Sequence, residues 1–174
     1  MPHMQDPYFR RAVVFICEHN KDGALGFIVN KPFETLELQD LFSDFFPDDD
    51  DILKLVPDVY FGGPVLVERG IVLHSAEYKI ENTIAIGNDF SLTSNKTIIK
   101  EIAEKKGPKH SKLMLGHAGW AQYQLEAEIE NGDWLLEHTN IDFIFNTEEK
   151  FMWDTATKSF GIDMSEFSGF GGSA

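Results

Sequence analysis

Residues 10–32, RRAVVFICEHNKDGALGFIVNKP, constrain the fold of this chain more than any other stretch. Two apolar runs, Ala12–Cys17 and Ala24–Val29, flank a polar hinge, Glu18–Gly23. Each run is rich in Val, Ile and Phe and too short for a free-standing helix, which makes both buried strands. Asn20 and Asp22-Gly23 tolerate positive φ and so can reverse the chain between them. An antiparallel pair built this way puts His19 at one end of a sheet. Asn30 and Lys31 then sit where the chain leaves it, a place suited to polar chemistry.

The rest of the chain supplies partners for this pair. Thr35 is a cap for a helix with Leu38, Leu41, Phe42 and Phe45 on one side, stopped by Pro47. Asp48–Asp51 lacks the ligand spacing and internal glycine of a calcium loop and reads as a solvated acidic turn. Asp58–Phe61, Gly70–Ser75, Thr83–Gly87 and Leu113–Leu115 read as further strands. Gly62-Gly63-Pro64 is a sharp turn without the ending of a phosphate loop. Ser94 caps a helix carrying Ile98, Ile99 and Ile102, which Gly107-Pro108 ends. Gly116 and Gly119 bracket a turn before a short helix, Gln124–Glu130, with Leu125 and Ile129 facing inward. Trp134–Glu137 and Ile141–Phe145 read as strands and Phe151–Phe160 as a terminal helix. Met1–Phe9 is an extended lead-in with two prolines, and 168–174 a loose Gly/Ser-rich tail after a single domain over 1–167.

Composition narrows the function. Fifteen Phe, 13% aromatic and 43% hydrophobic residues describe a packed globular domain. No apolar run approaches the ~20 residues of a membrane span, and no signal peptide precedes Pro2. A single cysteine excludes an internal disulfide and fits a reducing cytoplasm. The net charge of −14 opposes a nucleic-acid or anionic-membrane partner. Six lysines between Lys96 and Lys112 form either a solvated helix face, the favoured reading, or a small anion-docking patch.

The candidate chemistry is sparse. Cys17-Glu18-His19 invites a nucleophile–base reading, but Cys17 closes an apolar run and reads as a buried structural thiol. The six histidines include no HExxH motif and no close pair, so no metal and no cofactor is expected. His19 and His74 both follow apolar strands and are candidates to converge, although hydrogen-bonded structural roles are favoured. Glu126, Glu128 and Glu130 read as a solvated helix face. Trp120, between a glycine turn and a helix, is expected to clamp the two together.

Several blocks together resemble the YqgE/AlgH family of bacterial proteins. They are Arg11-Ala-Val-Val-Phe with His19 and Gly23-Ala-Leu-Gly26, Asn30-Lys31-Pro32, Gly62-Gly63-Pro64-Val65, Leu73-His74, and Gly119-Trp120 with Gln124-Leu125-Glu126. They run in the family's order from Met1 to about Asp163. The resemblance implies an α+β fold, a single compact domain with a branched, barrel-like, mainly antiparallel β-sheet flanked by helices. It implies no established enzymatic activity, and one branch is linked to regulation of alginate production. The resemblance implies a further leading segment before Pro2, so the chain reads as truncated or late-starting; it also has His117 where an aromatic is usual and Tyr123 where glycine is usual. If that position needs positive φ, the tyrosine is strained or the loop reshaped.

The favoured function is a non-enzymatic cytoplasmic regulatory or interaction protein with an unknown protein or small-molecule partner. The alternative is a small-ligand binder or enzyme with a polar pocket around His19, Asn30, Lys31, His74 and Gln124. Candidate binding residues are therefore His19, Asn30, Lys31, His74, Trp120 and Gln124. Direct DNA binding is the reading that charge disfavours.

Overall fold

The two apolar runs form the expected hairpin, β1 (Val14–Asn20) and β2 (Gly23–Ile28), paired from Val14↔Ile28 to Asn20↔Gly23. Asn20 Oδ1 accepts the Asp22 N–H at 2.8 Å and shapes the reversal. A bulge falls between Ile16 and Glu18, leaving Cys17 as the extra residue of β1. The computed structural model describes residues 6–33, 58–158 and 160–161. The readings of a helix after Thr35, an acidic turn at Asp48–Asp51 and a loose tail at 168–174 lie outside those residues.

The remaining described elements are β3 (Val59–Phe61), β4 (Val65–Ser75), β5 (Thr83–Ile86), β6 (Phe90–Thr93), α1 (Thr97–Ala103), β7 (Ser111–Ala121), α2 (Gln124–Glu130), α3 (Ile141–Asn146) and α4 (Glu149–Lys158). The strands build one seven-stranded sheet in the order β1-β2-β7-β4-β6-β5, with β3 pairing parallel to β7 off that path. The sheet curls into a half-barrel, an α+β architecture.

Its branch point lies on β7. The first part of that strand pairs with β3 through Leu113–Leu115 and with β4; the last part pairs with β2 through Ala118–Ala121. Beyond β2 the chain crosses over to β3, where Ile28 N donates to Gly62 O and Phe61 N to Lys31 O. Gly116 marks the change of partner at φ +71°, and a Cβ there would sit 2.3 Å from Gly63 O. Two chains pass too closely for any side chain.

Alternation along the strands divides the core. Phe15, Phe27, Leu73 and Met114 pack under α3 and α4, against Ile144 and Met152. Val72, Leu113 and Leu115 pack against Ile98 of α1. Ala24, Ala118 and Trp120 pack against Leu125 of α2.

Several expectations are corrected. Ile141–Phe145 is helical, because Asn140 Oδ1 caps the Phe143 N–H and Ile141, Ile144 and Phe145 fall at helical spacing. Trp134–Glu137 lies in an irregular segment rather than a strand. Gly116 and Gly119 lie inside continuous β7 instead of bracketing a turn. The helix expected from Ser94 starts at Thr97, preceded by Asn95, whose Oδ1 accepts the Thr97 N–H. Residues 6–10 of the lead-in form a turn in which Asp6 Oδ1 accepts from Tyr8 N and Phe9 N. The strand β6 was not read from the sequence. Lys112 leaves the solvated lysine row: it is buried, bonded to Glu149 Oε1 at 2.8 Å and Val29 O at 3.2 Å, with its Nζ 4.0 Å from the Tyr60 ring centroid.

Candidate functional site

The six candidate residues fall in three places. Asn30 and Lys31 tie down the lead-in: Asn30 Oδ1 accepts from Val13 N and its Nδ2 donates to Arg11 O. Lys31 Nζ donates to the carbonyls of Pro7 and Tyr8. His74 sits at the opposite end of β7 from the hairpin tip, beside Ser111, whereas β2 meets Trp120 and Ala121. His74 and His19 are thus far apart in the sheet.

His74 is fully buried and belongs to a hydrogen-bond chain. Ile80 N donates to Thr83 Oγ1, Thr83 Oγ1 lies 2.7 Å from Thr93 Oγ1, and Thr93 Oγ1 lies 2.9 Å from His74 Nε2. Nδ1 faces Ser75 O, which only accepts, so Nδ1 carries the proton and Nε2 accepts from Thr93. Burial holds the imidazole pKa below its ordinary value. This is a neutral structural histidine.

His19, Trp120 and Gln124 do gather, around α2. His19 Nε2 lies 2.6 Å from Glu126 Oε1 at the exposed hairpin end. Gln124 Oε1 accepts the Ala121 N–H, and its Nε2 donates to Glu128 Oε1. Glu128 is not the solvated carboxylate that the sequence suggested. Its Oε2 accepts both the Trp120 indole N–H at 2.9 Å and the Trp134 indole N–H at 2.7 Å. Burial alone would raise the Glu128 pKa; donors from Trp134, Gln124 and Trp120 outweigh it and hold the carboxyl below its ordinary range. Trp120, Trp134 and Phe9 pack ring against ring, the indoles T-shaped at 5.9 Å. Trp120 is 7% exposed and spans β7 and α2.

Beside this cluster runs a cleft of about 460 Å³ that sequence reasoning missed. It is lined by the consecutive run Ala12–Ile16 leading into and along β1, by the irregular segment 134–140, and by residues of α3 and α4. Trp120, Trp134 and Trp153, all three tryptophans of the chain, line it. Leu136 stands at its wall 62% exposed. The signal available in sequence was Trp134-Leu135-Leu136, an apolar run misread as a paired strand.

Cys17 offers no nucleophile here. It is half-buried, and burial pushes its thiol pKa up to about 12, so it stays protonated.

The family model described as "DUF179: AlgH-like" matches residues 1–165. A UPF0301 protein of Jannaschia sp. is 41% identical over 165 residues, covering 94% of this chain and 85% of that protein. The UPF0301 protein YqgE of Salmonella paratyphi B is 35% identical over 177 residues, covering 100% of this chain and 95% of the relative. The solution structure of AlgH from Pseudomonas aeruginosa matches with a TM-score of 0.76 and 32% identity, over 100% of this chain and 92% of that one.

Proposed function

The chain belongs to the AlgH-like family, and from that premise we propose a regulatory or interaction protein of the bacterial cytoplasm that works by holding a protein partner. The observation that carries this reading is a division of labour. The polar candidates Asn30, Lys31, His74 and Gln124 are engaged in bonds that hold the fold together. The tryptophans meanwhile line an apolar cleft with Leu136 standing out of it. Aromatic residues in a concave apolar site are the usual anchors of recognition. The free thiol of Cys17 fits a reducing compartment.

The test is retention of a partner by the full chain and by Leu136→Glu. Leu136 is exposed, so the substitution leaves the fold intact while placing a charge at the cleft. A partner held by the wild type and lost by the variant is expected. A metabolite turned over equally by both proteins would contradict the reading.

A further inference from the structure

The cleft borders an edge of β1 that no described strand pairs. Val13 O accepts from Val29 N at 2.9 Å and Val13 N donates to Asn30 Oδ1, so the main chain of Val13 faces β2. Across the hairpin from Val14, Ile28 turns its N–H away to Gly62 O. In an antiparallel ladder the bonded and non-bonded positions alternate, so Val14 and Ile16 direct their N–H and C=O groups away from β2, into the cleft. Among the described residues no strand pairs with that side of β1. Leu135 and Leu136, which also line the cleft, enter no backbone–backbone bond among the described residues.

We propose that the cleft receives an extended segment of a partner protein, which adds to β1 as a strand with apolar side chains at alternate positions and a lysine or arginine beside Glu18. The inference rests on the interaction role proposed above and names its chemistry. A wholly apolar ligand such as an acyl chain would strip water from the outward main-chain groups and replace none of their bonds. A peptide strand replaces them, the main chain giving affinity and alternate side chains giving specificity. Both faces suit it: Phe15 belongs to the cluster with Ile144, and Val14 and Ile16 pack against Trp120 and Leu125. Charge places the cation: Glu18 and Asp22 lie at the hairpin end of the edge, in a protein of net charge −14, whereas Arg11 before the edge is already paired with Asp154. The bulge at Cys17 ends regular pairing, so the added strand is short.

The experiment titrates the full chain with pooled, capped nine-residue peptides and follows tryptophan fluorescence. The pool carries Val, Ile, Leu or Phe at alternate positions, Thr between them and Lys at both ends. Two matched pools are N-methylated, one at the apolar residues and one at the threonines; another has Glu at both ends; dodecanoate is the small apolar probe. The parent pool is expected to bind, with at least a tenfold loss in one or both methylated pools and in the Glu-ended pool. Leu136→Glu is expected to abolish binding at an unchanged melting temperature. Equal binding by the parent and both methylated pools, equal or tighter binding by the Glu-ended pool, or no binding by the parent pool overturns the proposal. Should Leu136→Glu still lose a protein partner in the last case, the interaction role survives and only the added strand fails. Binding of dodecanoate alone, with partner retention indifferent to Leu136→Glu, sinks both.

Discussion

Tyr123 stands at φ +63° immediately before α2, with its side chain 69% exposed. The left-handed region costs a non-glycine residue roughly 1–2 kcal/mol, and an exposed ring returns little of it through packing. Tyr123→Gly is therefore expected to raise stability by about 0.5–1 kcal/mol after the entropic penalty of glycine in the unfolded chain, read as a higher urea midpoint. A lower midpoint would mean that the ring holds the turn. The sequence showed this position because a tyrosine replaced the expected glycine, and backbone strain is legible when one residue type has one steric reason. The partner of a buried side chain is less legible. Glu128 looked solvated because nothing local announces two indoles arriving from β7 and from residue 134. His74 makes the same point with a pH consequence. Its folded pKa lies below the ordinary 6.5, and burial lowers His117 in the same direction. Below about pH 6.5 the unfolded chain binds protons that the folded one refuses, so stability falls as pH falls. Urea midpoints should drop between pH 7.5 and 5.5, before carboxylates titrate, and His74→Gln should show a shallower drop from a lower start. A flat wild-type profile would contradict the neutral assignment.

At the scale of elements, β7 holds the fold's branch, and Gly116 permits it. Gly116 and Gly87 share a positive φ, of 71° and 61°, but only Gly116 is crowded; a Cβ on Gly87 would meet nothing within 4 Å. Gly87→Ala should cost about 1 kcal/mol from backbone strain, whereas Gly116→Ala should cost several-fold more or prevent folding, as compared in urea melts. Similar losses would remove the close crossing from the account. A second element-level device is the buried Lys112, which joins β7 to the start of α4 through Glu149 and to β3 through Tyr60. Glu149→Gln removes the carboxylate bonded to that ammonium, leaving Asp58 as a counter-charge, and should cost about 3 kcal/mol; a loss under 0.5 kcal/mol would show the pair to be incidental. The hairpin and the helix at Gln124 were legible because period and turn chemistry agree there. Residues 134–145 were not, because short apolar runs carry no period that separates helix from strand. There the decisive signal was one cap, Asn140.

For the molecule as a whole, the sequence carried the fold further than the site. The α+β class and the branched sheet followed from the hairpin and the resemblance; the cleft did not, because it is made by Ala12–Ile16 meeting residues more than 100 positions later. Among the described residues no helix is long and apolar enough to cross a membrane. Among the described residues β1 and β5 end the main path of the sheet. Open edges are normally blunted, and the Val14–Cys17 part of β1 is apolar for an edge that no described strand covers. Amide hydrogen exchange tests this most directly, residue by residue, on the full chain with and without the Lys-ended peptide pool. The account predicts that the amides of Val14 and Ile16 exchange quickly in the free protein and become protected with peptide, while Val13, already bonded to Asn30, changes little. Protection confined to β5 or to α2, with Val14 and Ile16 still exchanging quickly at saturation, would contradict it.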